Sequence, residues 1–517
     1  MTPNLGDAFF HYSAVNDAIE RIACANVVTI IAGAGVAKDR GSPDWATLAK
    51  AILERLMISS ADVDVSTNAK AIALMLAQSE DPLRLASATR WLATMQNLSS
   101  DAIDRLIAEE LDKYPGFGGT LAPGIALLAS TLKASGCDVA IITTNYDENI
   151  ELAARGPQLR STFSSLGVGK LVASIDERPP SNKTDIPVYH LHGVVAGRGP
   201  PSGTAHATPI YCETDYAAIR RGWQERLLIK RLKAGSCLFL GTSLTDPYFP
   251  YCLSRARRPK HAPWYALIAT QGETWLPAAL EQADTPMGAI QFMAGARLRH
   301  LGIDPLFADY FSQVSQFCYE AVNCLSNGKG SYAEGSPHRY GQRLINWHAE
   351  WSASIARQSL KGHQLQSQRK LMAVKRNICA ALPLQRDEKV KVELWVRSDP
   401  LKERSLTLWS SSESALLAEE ALHTAPIRQG SDYLAVRTFA QGNALGPRIP
   451  EGISTGRWKS GIAVPIWLDD APWLHLPVGV IGILGTSETS LGSQEVTERA
   501  RIARKLDRTG SSLLRPK

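Results

Sequence analysis

The sequence predicts an α/β chain in which a doubly wound parallel sheet precedes a smaller α+β unit with an antiparallel sheet. Residues 1–325 alternate apolar, β-branched runs with helical segments, as parallel strands covered by helices on both faces do. Four of those runs end in short polar motifs. From Val390 onward, short strands of alternating polarity replace them, which is typical of a half-buried antiparallel sheet.

Apolar periodicity places the elements of the first 325 residues. Asp44 is well suited to cap the helix that follows it, and proline is tolerated in the first turn of the helix that starts at Pro123. The predicted helices cover Ala14–Ala25, Asp44–Leu56, stretches of Asn68–Leu111, Pro123–Ser135, Trp223–Ala234 and Asp309–Leu325. The predicted strands cover Val27–Ala32, Val139–Thr144, the segment PVYHLHG that ends at Gly193, Cys237–Gly241 and Trp264–Ala269.

The second half begins after a segment rich in Gly, Ser and Pro and without Val, Ile or Leu, which predicts a linker. Residues Arg343–Ala381 then predict one long helix or two. Strands are expected at Val390–Val396, Leu406–Trp409, Trp458–Trp467 and Pro477–Gly485, and helices at Ser431–Gln441 and Ser493–Leu506. The predicted division is a nucleotide-binding domain over 1–325, a linker over 326–341, a connecting helix over 342–380 and a second domain over 381–517.

The composition is that of an ordinary globular protein. Of 517 residues, 44% are apolar and 21% are charged, and the net charge of +6 is too small to predict nucleic-acid binding. The amino terminus lacks the pattern of a secretory signal, and no apolar run is long enough for a membrane span. None of the eight cysteines forms a C-x-x-C pair, so we expect a cytoplasmic protein without zinc.

Four motifs follow or include the predicted strands of the first half. They are GAGVAKDRGSPDW at Gly33–Trp45, TTNYD at Thr143–Asp147, YHLHG at Tyr189–Gly193 and GTSLTDP at Gly241–Pro247. Functional loops of a doubly wound sheet lie at the carboxyl ends of its strands, and glycine allows the backbone to approach a phosphate there. The four motifs together predict one nucleotide site.

These residues also carry a resemblance to the sirtuins over roughly residues 20–325. GAGVAKDRGSPDW resembles the sirtuin signature, TTNYD the T-Q-N-x-D motif, LHG at Leu191–Gly193 the segment with the catalytic histidine, and GTSL at Gly241–Leu244 the motif that closes over the adenine ribose. The resemblance implies a Rossmann-like domain that uses NAD+ as its substrate.

The departures from the sirtuin pattern change the expected activity. A deacetylating sirtuin carries a zinc module with two cysteine pairs after the histidine, whereas here only Cys212 and Cys237 lie in that interval. In addition, Ala46 stands where an arginine often follows the P-D-F turn of the sirtuin signature. The chain looks more like the bacterial sirtuin-like proteins of antiphage defence, which implies hydrolysis of NAD+ to nicotinamide and ADP-ribose. A nucleotide-sensing module without turnover, and a sirtuin-type protein deacylase or ADP-ribosyltransferase, remain the alternatives.

The chemistry of that reaction suits the residues of the motifs. Cleavage of the nicotinamide–ribose bond passes through an oxocarbenium-like state, and the cationic leaving group departs neutral without a strong acid. Asn145 is suited to hold water or a ribose hydroxyl, and His192 to act as general base near neutral pH. His190 would share a strand face with His192, so only the motif match selects His192. The expected NAD+ contacts are Gly33, Ala34, Gly35, Asp44, Trp45, Thr144, Asp147, Gly241, Thr242, Ser243 and Asp246.

A purely structural role is an alternative for some of the polar and aromatic residues in this half. Asp246 before proline could serve only to start a helix, Trp45 is better suited to packing than to stacking on a nucleotide, and Asp215 is better suited to a surface or capping position than to catalysis.

Residues 370–510 resemble a GAF-type domain through the long entry helix, VKVELWV, WKSGIAVPI and PVGVIGILG. The resemblance implies a sensor or dimerisation domain, hence a homo-oligomer, with a nucleotide-like activating ligand or a partner protein. Trp395, Phe439 and Trp458 could line a pocket, although core packing accounts for them as well. An NADase that is always active would kill its host, so we expect this domain to regulate the first.

Overall fold

A computed structural model of the chain contains two sheets. It describes residues 8–59, 82–112, 119–195, 209–242, 244, 246, 248–270, 287–328, 330–382, 384, 387–397, 405–413, 422–428, 431–443, 446, 457–469, 475–488, 491 and 496–516. The strands of the first sheet are β1 Val27–Ala32, β2 Asp138–Thr143, β3 Leu171–Ser174, β4 Ile186–His190, β5 Ser236–Leu240, β6 Trp264–Ala269 and β7 Asp304–Ala308.

The first sheet is parallel and its order is β3-β4-β2-β1-β5-β6-β7. Strand β1 lies at the centre of the sheet, with β2 on one side and β5 on the other. Because the direction of strand addition reverses at β1, the carboxyl end of β1 is the switch point of a doubly wound sheet. The last residues of neighbouring strands are in register: Ala32 of β1 pairs with both Thr143 and Leu240, and Thr143 pairs with His190. The predicted fold class is confirmed, and the four motif-bearing strands are adjacent.

Helices cover the faces of this sheet. Strands β1, β2 and β5 are almost wholly buried because helices pack on both of their faces, which explains their continuous apolar sequences. The helices are α1 Ser13–Ala23, α2 Gly35–Asp39, α3 Trp45–Ser59, α4 Pro82–Met95, α5 Ser100–Asp112, α6 Leu121–Ala134, α7 Asn149–Ala154, α8 Pro157–Ser165, α9 Glu213–Ile219, α10 Trp223–Ala234, α11 Tyr248–Ala256, α12 Met287–His300 and α13 Ser312–Asn327.

Most of these elements match the prediction to within a few residues. Asp44 caps α3 as expected, because its Oδ1 accepts a hydrogen bond of 2.9 Å from the backbone N–H of Thr47. Residues 68–81 of the predicted helical stretch lie outside the described residues. Strands β3 and β7, which are partly exposed, were not predicted. None of the helices in the described part of the chain has the length and apolarity that a membrane crossing requires.

The second sheet is antiparallel, as predicted. Its strands are β8 Val390–Val396, β9 Ser405–Ser411, β10 Thr424–Pro426, β11 Ser460–Leu468 and β12 Leu476–Gly485, in the order β10-β9-β8-β12-β11. The helices of this half are α14 Tyr340–Ala356, α15 Leu360–Cys379, α16 Leu434–Gln441 and α17 Val496–Leu514. Residues 342–380 therefore form two helices, which meet near Ser359, where φ is +64°.

The segment 326–341 is packed against both neighbouring helices. Tyr332 is fully buried and its hydroxyl donates a hydrogen bond to the carboxylate of Glu320 on α13. Arg343 on α14 forms a buried ion pair with the same carboxylate. A salt bridge and a tyrosine thus fix how the chain passes from α13 to α14.

In the second half, the three aromatic residues considered for a pocket are buried. Trp395 and Phe439 belong to one apolar cluster between β8 and α16, and Trp458 packs under the ammonium group of Lys391. These contacts agree with core packing.

Candidate active site

Backbone hydrogen bonds join the loops that follow β2 and β4. The N–H of Leu191 donates to the carbonyl of Thr143 at 2.9 Å, and the N–H of Val195 donates to the carbonyl of Tyr146 at 2.9 Å. These two bonds bracket the positions of both predicted catalytic residues. The loops carrying TTNYD and YHLHG are therefore held side by side at the carboxyl edge of the sheet.

The loops that follow β1 and β5 cross at their glycines. Gly35 donates a 2.7 Å hydrogen bond to the carbonyl of Gly241, whose φ is +60°. A Cβ atom on Gly33 would lie 2.6 Å from the Cβ of Thr242, and one on Gly35 would lie 2.6 Å from the Cα of Gly241. Because a Cβ atom cannot fit at either crossing, these glycines are required for contact between the loops, a role that the sequence prediction did not assign to them.

Other predicted NAD+ contacts lie along the same edge. Ala34, Thr144 and Thr242 are each half-buried there. The hydroxyl of Thr242 accepts a 3.2 Å hydrogen bond from the N–H of Leu244, which shapes the turn of the β5 loop. Ser243 lies outside the described residues.

Asn145 is fixed by its backbone, while its side chain is available. Its N–H donates to the hydroxyl of Thr143 at 3.0 Å and its carbonyl accepts from Nδ1 of His190 at 3.1 Å. The residue is 7% exposed, and its side-chain amide makes no hydrogen bond to the residues that the structure describes. A buried amide that has no partner among these residues is suited to bind a polar group of a ligand.

His190 forms a buried ion pair below Asn145. Its Nε2 lies 2.8 Å from Oε1 of Glu151 on α7, and both side chains are essentially inaccessible to water. Burial alone would lower the pKa of His190, but the Glu151 carboxylate and the Asn145 carbonyl raise it above its usual value. His190 therefore donates from both ring nitrogens and holds the backbone at Asn145.

His192 has a different environment. Its Nε2 lies 3.3 Å from Oδ2 of Asp246, and its ring meets that of Tyr216 edge-on, with centroids 5.4 Å apart. The residue is 4% exposed, and burial lowers its pKa below the usual value although Asp246 opposes this. His192 is therefore neutral near pH 7, as a general base must be.

The two histidines do not share a strand face, contrary to the expectation from their spacing. Strand β4 ends at His190, and a turn follows in which Gly193 has a φ of +83°. The period-two alternation of a strand does not extend into this turn, so His190 and His192 contact different partners.

Asp147 lies at the start of α7 with a cation nearby. Its Oδ1 accepts a 3.0 Å hydrogen bond from the N–H of Asn149, and burial raises its pKa. Arg40, at the end of α2, donates to the carbonyl and to Oδ1 of Asn149 at 3.2 and 3.1 Å. This part of the loop after β2 is thereby attached to α2.

Asp44 and Trp45 lie at the start of α3. Besides capping α3, Asp44 lies 3.6 Å from the ammonium group of Lys38. Although burial would raise the pKa of Asp44, the hydrogen bonds to Thr47 and the charge of Lys38 lower it. Trp45 lies 6.3 Å from Tyr216 between ring centroids, and its buried Nε1 has no hydrogen-bond acceptor among the described residues.

The sequence prediction gave no role to Tyr216, Glu151 or Arg40. Tyr216 lies on α9, where Asp215 accepts from the backbone of Cys212 and pairs with Arg90, so the predicted capping role of Asp215 is confirmed. The capping position expected for Asp215 gave no indication that the next residue, Tyr216, would face His192.

Comparison with known proteins supports the resemblance in part. Residues 139–285 match the family model described as a SIR2-like domain. Among solved structures, one match is described as "Structural Basis for the Mechanism and Regulation of Sir2 Enzymes"; it is 14% identical, covers 61% of this chain and 100% of that chain, and has a TM-score of 0.27. The comparison with curated proteins finds no match. The segment that matches this family model contains all but the first residue of β2, strands β3 to β6, and with them Asn145, His192 and Asp246.

Proposed function

We propose that this protein is an NAD+ glycohydrolase that cleaves NAD+ to nicotinamide and ADP-ribose. The SIR2-like match supports an NAD-related enzyme of the sirtuin superfamily. The observation that carries the finer proposal is the pair Asn145 and His192, which lie on neighbouring loops and supply a neutral imidazole and a side-chain amide with no hydrogen bond to the described residues. Hydrolysis of this bond needs a general base and a polar side chain that holds the water or the ribose, close to each other.

The donors and acceptors at this edge fit the ligand. Nε1 of Trp45 is a buried polar atom with no hydrogen-bond partner among the described residues. Asp147, on the same loop as Asn145, adds a carboxylate, and ribose hydroxyls are good donors to carboxylates. Buried polar groups of this kind are normally satisfied, so a polar ligand is the expected partner.

In the proposed reaction, the bond between the ribose carbon C1′ and the nicotinamide nitrogen breaks, and its electron pair leaves with nicotinamide. A water oxygen bonds to C1′, and the proton of that water passes to His192, which burial keeps neutral and able to accept it. The Asn145 amide holds the water or the ribose hydroxyl. The carboxylate of Asp147 helps to stabilise the positive charge that develops on the sugar.

The products distinguish hydrolysis from transfer. We expect the full-length protein to release nicotinamide and unattached ADP-ribose in equal amounts, measured by chromatography, whether or not an acetyl-lysine peptide is present. Nicotinamide release that requires the peptide, or ADP-ribose found attached to protein, would show a deacylase or a transferase instead.

The C-terminal half, GAF-like by its sequence, contacts α2 at the carboxyl edge of the first sheet through the end of helix α16, and we propose that it regulates the site from there. Helix α16 ends at Gly442, whose φ of +74° turns the chain against α13, where a Cβ atom on Gly442 would lie 2.7 Å from the Cβ of Ser312. The next residue, Asn443, donates from its buried side chain to the carbonyl of Asp39 at 2.5 Å. Asp39 is the last residue of α2, the helix that follows the GAG turn.

A short series of contacts leads from that hydrogen bond to the TTNYD loop. The carboxylate of Asp39 accepts a 2.7 Å hydrogen bond from the N–H of Leu121, and burial raises the pKa of Asp39 to about 7. Its neighbour Arg40 bonds to Asn149, whose N–H bonds to Asp147. Movement of α16 would thus shift α2 and the loop beside Asn145. In our proposal the docked half restrains the enzyme until a ligand or partner releases it, as suits a defence effector that depletes NAD+.

Replacing Asn443 with alanine should raise the basal rate of nicotinamide release. A hydrogen bond between uncharged groups contributes about 0.5–1.5 kcal/mol, so its loss should shift the restrained population and the rate by about 2- to 10-fold. Asn346→Ala is the matched control, because Asn346 is exposed on α14 and bonds to Gln342 of the same helix. Equal basal rates in wild type, Asn443→Ala and Asn346→Ala would contradict the regulatory role of this contact.

A further inference from the structure

Asp246 is held on two sides and turned toward His192. Its Oδ1 accepts a 2.9 Å hydrogen bond from the N–H of Tyr248 at the start of α11. Its Oδ2 accepts a 3.0 Å hydrogen bond from the hydroxyl of Tyr216 and lies 3.3 Å from Nε2 of His192, an electrostatic contact that is not aligned as a hydrogen bond. The side chain is 15% exposed. The two donors fix the orientation of the Asp246 carboxylate, and the imidazole of His192 is its third neighbour.

Tyr216 can act toward Asp246 only as a donor. Burial, and after it the charge of Asp246, raises the pKa of Tyr216 far above its usual value, so the hydroxyl keeps its proton. The ring of Tyr216 also packs edge-on against His192 at 82°. Helix α9, which carries Tyr216, is fixed by the capping interaction of Asp215 with Cys212. Tyr216 thus touches both the carboxylate and the imidazole from a fixed position.

We propose that Asp246 and Tyr216 are positioning residues for His192, and this rests on the NAD+ glycohydrolase function proposed above. The carboxylate favours the tautomer with the proton on Nε2, which leaves Nδ1 to take the proton from the attacking water. When Nδ1 has accepted it, the imidazolium is stabilised by Asp246. Tyr216 holds the carboxylate in place and does not itself touch the reacting atoms. The sequence had assigned Asp246 to NAD+ binding; the proposed role is different.

A double-mutant cycle separates the two roles. We expect Asp246→Asn to lower kcat by about 10- to 100-fold, as the loss of a partner that orients a histidine typically does, and to change KM for NAD+ by less than about twofold. Because Asp246 acts through His192, the double variant Asp246→Asn/His192→Ala should be no slower than His192→Ala alone. Additive losses, or a loss that appears in KM with kcat unchanged, would show a direct contact with NAD+ and overturn the proposal.

Tyr216→Phe removes one hydroxyl and keeps the ring. We expect a smaller fall in kcat than for Asp246→Asn, again absent on the His192→Ala background. Tyr211→Phe is the matched control, because Tyr211 is buried nearby and its hydroxyl lies 3.5 Å from that of Thr89, away from Asp246. A fall in kcat for Tyr211→Phe equal to that for Tyr216→Phe would contradict a specific role of Tyr216.

A second readout does not require turnover. In the full-length protein with isotope-labelled histidine, NMR should show a lower pKa for His192 in Asp246→Asn than in wild type, and a changed ring tautomer, because the charge that favours the imidazolium is gone. An unchanged pKa and tautomer would overturn the proposal. If the wild type cleaved no NAD+, the proposed function would fail, but this titration would still test the pairing of Asp246 with His192.

Discussion

Replacing His192 with alanine is expected to lower nicotinamide release from NAD+ by about 10²–10⁴-fold, the usual contribution of a general base. His192 is 4% exposed, its pKa is lowered by burial, and it lies beside Asp246 at the carboxyl edge of the sheet. The loss should appear mainly in kcat, since the base acts on the attacking water and not on NAD+ in the ground state. The measurement is steady-state nicotinamide release by the full-length protein.

The pH dependence gives this prediction its own control. Because the pKa of His192 lies below its usual value of 6.5, the wild-type rate should stay constant down to that pH and fall only as the pH drops through the lowered pKa. His192→Ala should lose this acid limb. A His192→Ala protein with the rate of the wild type, or with the same acid limb, would show that another group is the base.

Replacing Glu151 with alanine is expected to destabilise the first domain by about 3–5 kcal/mol, because it leaves a buried charge without its partner. Glu151 and His190 are 1% and 0% exposed at the side chain, and Nε2 of His190 lies 2.8 Å from the carboxylate. The loss should appear as a lower urea midpoint for the first unfolding transition of the full chain. Glu54→Ala, at an exposed position of α3, should change stability by less than about 0.5 kcal/mol.

The Glu151 effect should depend on pH in a defined direction. The pKa of His190 is raised in the folded protein, so the stabilisation from the pair is fully present below the unfolded value of about 6.5 and is lost as the pH rises through the raised pKa. The difference between wild type and Glu151→Ala should therefore be largest below pH 6.5 and shrink in alkaline buffer. A difference that grew with pH would contradict a charged His190.

The sequence was sufficient to predict the central part of the first sheet. Strands β1, β2 and β5 are buried on both faces, so each appears as a continuous apolar run. Strands β3 and β7 were missed because partly exposed residues interrupt their short apolar patterns. The motif after each predicted strand lies at the same edge, since strand ends in a parallel sheet share one direction, and this brought Asn145 and His192 together.

Local sequence patterns could not predict which side chains of the site pair with each other. His190 and Glu151 are 39 positions apart, and Tyr216 and Asp246 are 30 apart, so neither pair has a characteristic spacing. The role of the glycines was likewise invisible, because it depends on two loops crossing at Gly35 and Gly241. The sequence predicts which residues carry the chemistry, whereas their partners follow only from how the strands are ordered.

Whether Asn145 acts on NAD+ is tested by nicotinamide release from NAD+ by purified full-length wild type and Asn145→Ala, each with and without extract of phage-infected cells. Asn145 is suited to this test because its fold contacts are made by its backbone, which the substitution retains. We expect release by the wild type, strongest with the extract, and a loss of at least about 100-fold in Asn145→Ala. Release by Asn145→Ala at the wild-type rate, or no release by the wild type in either condition, would contradict this proposal.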